Sequence, residues 1–355
     1  MFAQHAVQFF VAFSNVTRQM ILPASFRRLR TGLTVAALSI ALPLAASAQR
    51  TFASLTMFGD SFSDVGNASA LFPALGLPSR FSNGPIWSDY LAGALGRPGD
   101  ATPSFVSQAP TGVYAIAGTT TNPASQGSTA QQIARWCLFN GASCTRGASP
   151  GGLYTLFSGG NDLRTAAANP VLSAAQRQAA AVTAATNLVQ QAQGLVALGA
   201  QSVLFAYLPD LGLTPDRRGT AQSAELSDLT RIFNATLETG INQLRIGAPM
   251  GRFFDLRLDY LFANLLQQPS LYGFTNTTDS CLAAMRLPAC DGFVFFDGLH
   301  PTSASHAAIA NAAYQLVAFD RNVSLVPEPA SVALLGAGLF GVLGIGMKRR
   351  KNRTN

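Results

Sequence analysis

Between residues 52 and 319, short apolar runs alternate with longer segments of helical composition, and this restricts the fold more than any other feature of the chain. Residues 52–58, 113–117, 153–158, 202–208 and 253–256 read as strands, and Gly59, Gly118, Gly159 and Pro209 stop the first four. Residues 86–95, 128–139, 172–198, 221–246, 259–267 and 303–319 read as helices, and residues 293–296 form one more apolar run. Strands that alternate with helices argue for a parallel sheet covered by helices on both faces. Ligands of such sheets bind beyond the carboxyl ends of the strands. The residues that follow each strand are therefore where chemistry is sought.

The two ends of the chain are of a different kind. Arg27, Arg28 and Arg30 precede an apolar stretch, residues 33–44, that closes on Ala46-Ser47-Ala48. This order predicts a secretory signal over residues 1–48, cleaved after Ala48, with Met20 as an alternative start. The apolar run is shorter than the ~20 residues a bilayer span requires. At the other end, Val326-Pro327-Glu328-Pro329 leads into uncharged residues 330–347 and then Lys348-Arg349-Arg350-Lys351. That segment reaches the lower limit for a membrane helix, and its basic tail is expected to stay cytoplasmic.

These ends dominate the charge. The whole chain carries +7, but residues 1–48 hold four arginines and residues 330–355 five basic residues, with no acids, so residues 49–329 carry 7 − 4 − 5 = −2. The basic balance reflects targeting, and no nucleic-acid partner is expected. Cys137, Cys144, Cys281 and Cys290 all lie in the part expected to be exported, which favours disulfides. Four cysteines allow three pairings, of which the local ones, Cys137 with Cys144 and Cys281 with Cys290, are favoured. A zinc site is the alternative, but neither pair has Cys-x-x-Cys spacing.

Histidine is scarce, and that narrows the search for a general base. Outside the leader only His300 and His306 remain. His300 lies in Asp297-Gly298-Leu299-His300-Pro301, a spacing that can set the Asp297 carboxylate against one ring nitrogen and leave the other free. His306 falls inside the last helix and reads as structural. Ser61, in Gly59-Asp60-Ser61 directly after the first strand, has the context of an exposed nucleophile. Gly147-Ala148-Ser149-Pro150-Gly151 imitates a nucleophile elbow, yet Pro150 lacks the N–H that such an elbow uses, and no strand precedes Ser149. Asn161, after the third strand, and Gly118, after the second, are candidates for donating to a developing oxyanion.

These blocks together resemble the GDSL, or SGNH, hydrolases. The likeness spans most of residues 52–319 and consists of residues 58–67, Tyr114-Ala115-Ile116-Ala117-Gly118, Gly159-Gly160-Asn161-Asp162 and Asp297-Gly298-Leu299-His300-Pro301, in the family's order. Arg80-Phe81-Ser82-Asn83-Gly84, with Trp87 and Asp89, is similar to a stretch of the lipase-like branch. Val113 stands where the family often has asparagine, and Thr119-Thr120-Thr121 replaces its usual small residues. The resemblance implies a three-layer α/β/α sandwich around a mainly parallel five-stranded sheet. It also implies a Ser61-His300-Asp297 triad, an oxyanion hole of Ser61, Gly118 and Asn161, and no cofactor or metal. Asp64 and Asn67 are expected to brace the nucleophile turn. The chain end resembles the PEP-CTERM sorting signal, which implies an exosortase partner, a transient inner-membrane anchor through residues 330–347, and a cell-surface or matrix destination in a Gram-negative bacterium.

The domain expected at 49–325 is thus read as an exported serine hydrolase of acyl or lipid esters. It should cleave short p-nitrophenyl esters at a rate rising through ~6–7, the ordinary range of an imidazole base. A carbohydrate O-acetyl esterase acting on exopolysaccharide and an acyltransferase are the alternatives. A catalytically idle surface or matrix protein is the reading from another class, and loss of a triad member would mark it. None is lost here.

Overall fold

The computed structural model describes residues 49–141 and 144–321. The expected leader, the PEP-CTERM segment and its membrane helix lie outside the described residues. In chain order the elements are β1 (Ser54–Gly59), α1 (Asn67–Leu71), α2 (Trp87–Ala94), α3 (Ser104–Ser107), β2 (Gly112–Val113), α4 (Thr129–Phe139), β3 (Gly152–Phe157) and α5 (Gly160–Ala168). They continue with α6 (Ala174–Ala197), β4 (Ser202–Ala206), α7 (Ser223–Gly247), β5 (Arg252–Leu256), α8 (Leu258–Gln267), β6 (Asn276–Ser280), β7 (Phe293–Phe295) and α9 (Ser303–Phe319).

Five strands form one parallel sheet in the order β2-β1-β3-β4-β5. All residues of β1, β3 and β4 are buried, as expected of strands with helices on both faces. One helical layer contains α4, α5, α6 and α7, with α6 packed along α7 and α5; α2 and α9 pack together as the other. Ser173 and Gln176 close a capping box at the start of α6. Trp136 of α4 seats that helix on the sheet: its ring meets Phe58 at 6.1 Å and Tyr154 at 5.6 Å, both edge-on, and its indole N–H donates to Pro110 O at 2.9 Å.

The strand order locates the site. The chain leaves β1 toward β2 on one side and leaves β3 toward β4 on the other, so the topology switches direction between β1 and β3. Beyond the carboxyl ends of that pair a crevice is expected. Gly59-Asp60-Ser61 and Gly159-Gly160-Asn161 are the segments that emerge there. Gly59 is required by close approach, since a Cβ on it would lie 2.3 Å from Phe157 O.

Three elements differ from the sequence reading. The strand expected over 113–117 is regular only at Gly112–Val113. Its continuation still follows β1, with Tyr114 N–H on Met57 O and Ile116 N–H on Gly59 O. On its outer edge Val113 N–H donates to Thr102 O in a single bridge, and the Asn67 side-chain amide donates to Val113 O and Ala115 O, at 2.8 and 2.9 Å. The Gly159-Gly160 turn opens directly into α5, so Asn161 stands in a helical first turn. The 293–296 run lies outside the main sheet and pairs as β7 with the polar β6.

Disulfides join Cys137 to Cys144 and Cys281 to Cys290, the local pairs favoured from the sequence. Each closes a short loop and stabilises by about 2–3 kcal/mol. Among the described residues no helix is long and apolar enough to cross a membrane.

Candidate active site

Ser61 follows β1 at the switch point, and His300 ends the loop between β7 and α9. Their side chains meet, with His300 Nε2 2.8 Å from Ser61 Oγ. On the other side of the ring, Nδ1 lies 2.7 Å from Asp297 Oδ2, while Asp297 Oδ1 accepts the N–H groups of Leu299 and His300 at 2.8 and 2.7 Å. Burial alone would raise the Asp297 carboxyl, but the His300 hydrogen bond and the two backbone N–H groups outweigh it and hold it below its ordinary value. An ionised Asp297 accepts a hydrogen bond from the Nδ1–H, which keeps the proton on that nitrogen and leaves Nε2 as the acceptor facing the serine hydroxyl. The imidazole packs against two tilted aromatic rings, Phe62 at 5.6 Å and Phe81 at 5.1 Å between centroids.

The turn that carries Ser61 is fixed by backbone donors on Asp64. Its Oδ1 accepts from Gly66 and Asn67, and its Oδ2 from Ala68 and Ala117, at 2.7–3.0 Å. Asp64 therefore ties the Ser61 turn to the residue before Gly118, and Asn67 brings the second strand against the same turn. Both make the bracing hydrogen bonds expected from the sequence. Trp87 Nε1 donates to Ser63 Oγ at 3.0 Å from below.

Gly118 adopts φ +79°, a left-handed conformation that favours glycine, and a Cβ there would meet open space. Neither the Ser61 nor the Gly118 N–H has a hydrogen-bond acceptor among the described residues. The Asn161 amide donates to Thr119 O at 2.9 Å, which orients it toward the Gly118 loop and leaves its second N–H for another acceptor. Ser61 and Asn161 line one narrow crevice with Phe62, Arg164, Leu208 and Leu299.

The threonine run after Gly118 anchors this loop. Thr119 Oγ1 donates to Ile116 O, and Thr121 gives its N–H and hydroxyl to the Asp162 carboxylate of α5. Buried Gln132 of α4 holds both backbone groups of Gly59, accepting its N–H at 2.9 Å and donating to its O at 2.8 Å. No local pattern marks Gln132, because its partner lies 73 residues earlier. The Arg80-Phe81-Ser82-Asn83 stretch forms a clasp over the histidine loop. Arg80 pairs with Asp89, Ser82 Oγ donates to Pro301 O, and Asn83 accepts Ser303 N–H while donating to Pro288 O and Ala289 O in the Cys281–Cys290 loop. Across the crevice, Arg164 pairs with Asp216, whose own N–H donates to Gly298 O.

The remaining candidates fall away from this crevice. Ser149 lies in the turn before β3, at the amino end of the sheet. His306 is fully buried in α9, and burial lowers it to about 3, so it stays neutral. Its two nitrogens have no hydrogen-bond partner among the described residues. Among the described residues no cluster of histidine, cysteine and carboxylates is arranged to hold a metal.

Asp60, beside Ser61, is buried, and burial first, with nearby Asp162 adding to it, pushes its carboxyl up to about 7. Folded Asp60 therefore keeps a proton that the unfolded chain releases near its ordinary 3.8. Its contribution to stability is greatest in acid, falls as pH rises, and is fully lost above about 7. Asp60→Asn, which keeps an acceptor for Phe62 N–H, should melt increasingly above wild type between pH 5 and 8. A melting difference independent of pH would contradict this assignment.

A doubly covered parallel sheet with a serine, a histidine and a carboxylate in hydrogen-bonded line at its switch point is the arrangement found in α/β serine hydrolases. The chain belongs to the GDSL-like lipase/acylhydrolase family, whose profile matches residues 55–313. The PEP-CTERM protein-sorting motif matches residues 325–351 and marks export in Gram-negative bacteria, with processing by an exosortase.

Curated relatives include an uncharacterized protein of Pseudomonas putida, 29% identical over 85% of this chain and 54% of its own. Phosphatidylcholine-sterol acyltransferase of Aeromonas hydrophila is 25% identical over 76% of this chain and 91% of its own. Esterase EstA of Pseudomonas aeruginosa is 28% identical over 80% and 50%. The chain thus spans about half the length of several relatives it matches. Among solved structures, the acetylxylan esterase Axe2 of Geobacillus stearothermophilus aligns with TM-score 0.40 and 15% identity, over 76% of this chain and 96% of its own. An aryl esterase of M. smegmatis aligns with TM-score 0.39 and 18% identity, over 74% and 97%.

Proposed function

We propose that the chain hydrolyses carboxylic acyl esters, lipid esters included, with Ser61 as nucleophile, His300 as general base and Asp297 as the carboxylate that orients it. The observation that carries this reading is the unbroken hydrogen-bonded line from Ser61 Oγ through the imidazole to Asp297, at 2.8 and 2.7 Å. His300 Nε2 takes the hydroxyl proton as Oγ attacks the ester carbonyl, then passes it to the departing alcohol. Water, deprotonated by the same nitrogen, cleaves the acyl-enzyme and frees the acid. The oxyanion of each tetrahedral intermediate accepts from the Ser61 and Gly118 N–H groups and the Asn161 amide, each donor contributing on the order of 10²–10³ in rate.

A panel of p-nitrophenyl esters, with Ser61→Ala as the blank, tests this. The full chain is expected to release nitrophenol and the variant to fall to background; equal turnover by both would end the proposal. A second reading, transfer of the acyl group to an alcohol, is favoured by the likeness to the Aeromonas acyltransferase, most of whose length is matched. It would appear as a new ester when an alcohol is added.

The same reading extends to maturation. Residues 1–48 are removed on export, residues 330–347 hold the chain briefly in the inner membrane, and an exosortase cuts near Pro327-Glu328-Pro329. The domain of residues 49–325 then works at the cell surface or in the matrix. The sorting motif and the two disulfides support this route.

A further inference from the structure

Beside the crevice of Ser61 lies a larger cavity of about 280 Å³, and Phe62, Pro209 and Leu299 are walls of both. Leu213, Phe262, Ala263, Leu266 and Phe295 supply the rest of its apolar lining. The polar side chains in its wall are mostly engaged within the protein. Asp210 accepts Gly212 N–H and the Ser227 hydroxyl, at 2.9 and 2.7 Å. Thr214 Oγ1 donates to Leu211 O at 2.7 Å, and Asp259 is paired with Arg257 at 2.6 Å. Tyr260, largely exposed at the mouth, carries the one lining hydroxyl without a partner among the described residues.

We infer that this cavity is the acyl-chain site, and that it takes an unbranched hydrocarbon chain of medium length; the inference rests on the ester-hydrolase reading of Ser61. A wall whose carboxylates are already engaged, Asp259 by Arg257 and Asp210 by a backbone N–H and a hydroxyl, offers little to a sugar, but its apolar majority rewards removal of methylenes from water. The acyl part is also the part that must stay bound through deacylation, while the alcohol has to leave so that water can enter. At ~30 Å³ for a water-sized group, the cavity has room for a chain of roughly eight to nine carbons. Leu299, directly before the base, and Phe62, directly after the nucleophile, form the passage between the two spaces.

The test varies the acyl chain under one leaving group, p-nitrophenol, from acetate through octanoate to palmitate, in wild type and Ala263→Trp. Ala263 is exposed on α8, so the indole fills the cavity from its open side without entering the core, and acetate turnover reports folding. Wild-type kcat/KM is expected to rise with each methylene buried, by up to about fourfold, level off near octanoate and fall for palmitate. Ala263→Trp should bring octanoate down to the level of acetate and leave acetate within a few-fold of wild type. Methyl octanoate should outpace octyl acetate, since only the former puts its chain on the acyl side. Preference for acetate in wild type, an equal fall of both esters in the variant, or faster cleavage of octyl acetate would each overturn the acyl-chain site while leaving the hydrolase reading intact. Failure of wild type to cleave any ester would remove both.

Discussion

His300→Ala is expected to lower kcat on p-nitrophenyl esters by on the order of 10⁴–10⁶, with KM changed little. The imidazole is the only basic group within hydrogen-bonding reach of Ser61 Oγ among the described residues, so no neighbour replaces it. Asp297→Asn should cost about 10⁴ for a different reason. Asparagine can turn an N–H toward Nδ1, which favours the tautomer whose proton sits on Nε2 and faces the serine. The position accepts three hydrogen bonds, two of them from backbone, so the loop itself should also loosen slightly. Steady-state kinetics at saturating substrate, beside an unchanged circular dichroism spectrum, checks both variants. A His300→Ala enzyme with a tenth or more of wild-type kcat would remove the histidine from the mechanism.

The second large effect is on stability. Asp64→Ala removes the acceptors of four backbone N–H groups, those of Gly66, Asn67, Ala68 and Ala117, in a place with almost no access to water. Leaving a buried donor unpaired costs ~1–3 kcal/mol, and four of them, partly relieved by relaxation, come to about 4–8 kcal/mol. For a domain of this size that lowers Tm by roughly 10–25 °C. Activity should fall as well, because Ala117 is the link that holds Gly118 beside the Ser61 turn. Asp64→Asn keeps one acceptor oxygen and should lie between the variant and wild type. Calorimetry of the three proteins decides it, and an Asp64→Ala protein that melts within 3 °C of wild type would contradict the bracing role.

The parts of this architecture legible from sequence are those written in local pattern. Four apolar runs ending in glycine or proline marked strands of the main sheet, and the residues just past them converge on the crevice. Scarce histidine and the Asp297-to-His300 spacing made that loop readable, because all three hydrogen bonds of the carboxylate form within four residues. Elements without such a pattern went unread. β6, Asn276-Thr277-Thr278-Asp279-Ser280, is polar throughout and largely open to solvent, so neither alternation nor apolarity marks it. α5 begins inside a Gly-Gly pair that reads as a turn, and its helix is set by Gly159 at φ +114° and by Asp162 in its first turn. The edge of β2 is short, and its far side is met by a single backbone bridge at Pro103 and by the Asn67 side chain rather than by a strand. Gln132 on Gly59 and Arg164 on Asp216 are contacts between segments far apart in sequence, and the cavity beside Ser61 is built from five separate segments. Such features follow from topology rather than from any one stretch of residues.

The most direct test of the central claim is covalent. A fluorophosphonate reacts with a serine only when a neighbouring base raises its nucleophilicity, and the adduct can be mapped by mass spectrometry. The folded, oxidised protein is expected to take up one equivalent, carried on Ser61, and uptake should be lost in both Ser61→Ala and His300→Ala. An adduct on another residue, or undiminished labelling of the Ser61→Ala protein, would contradict the account.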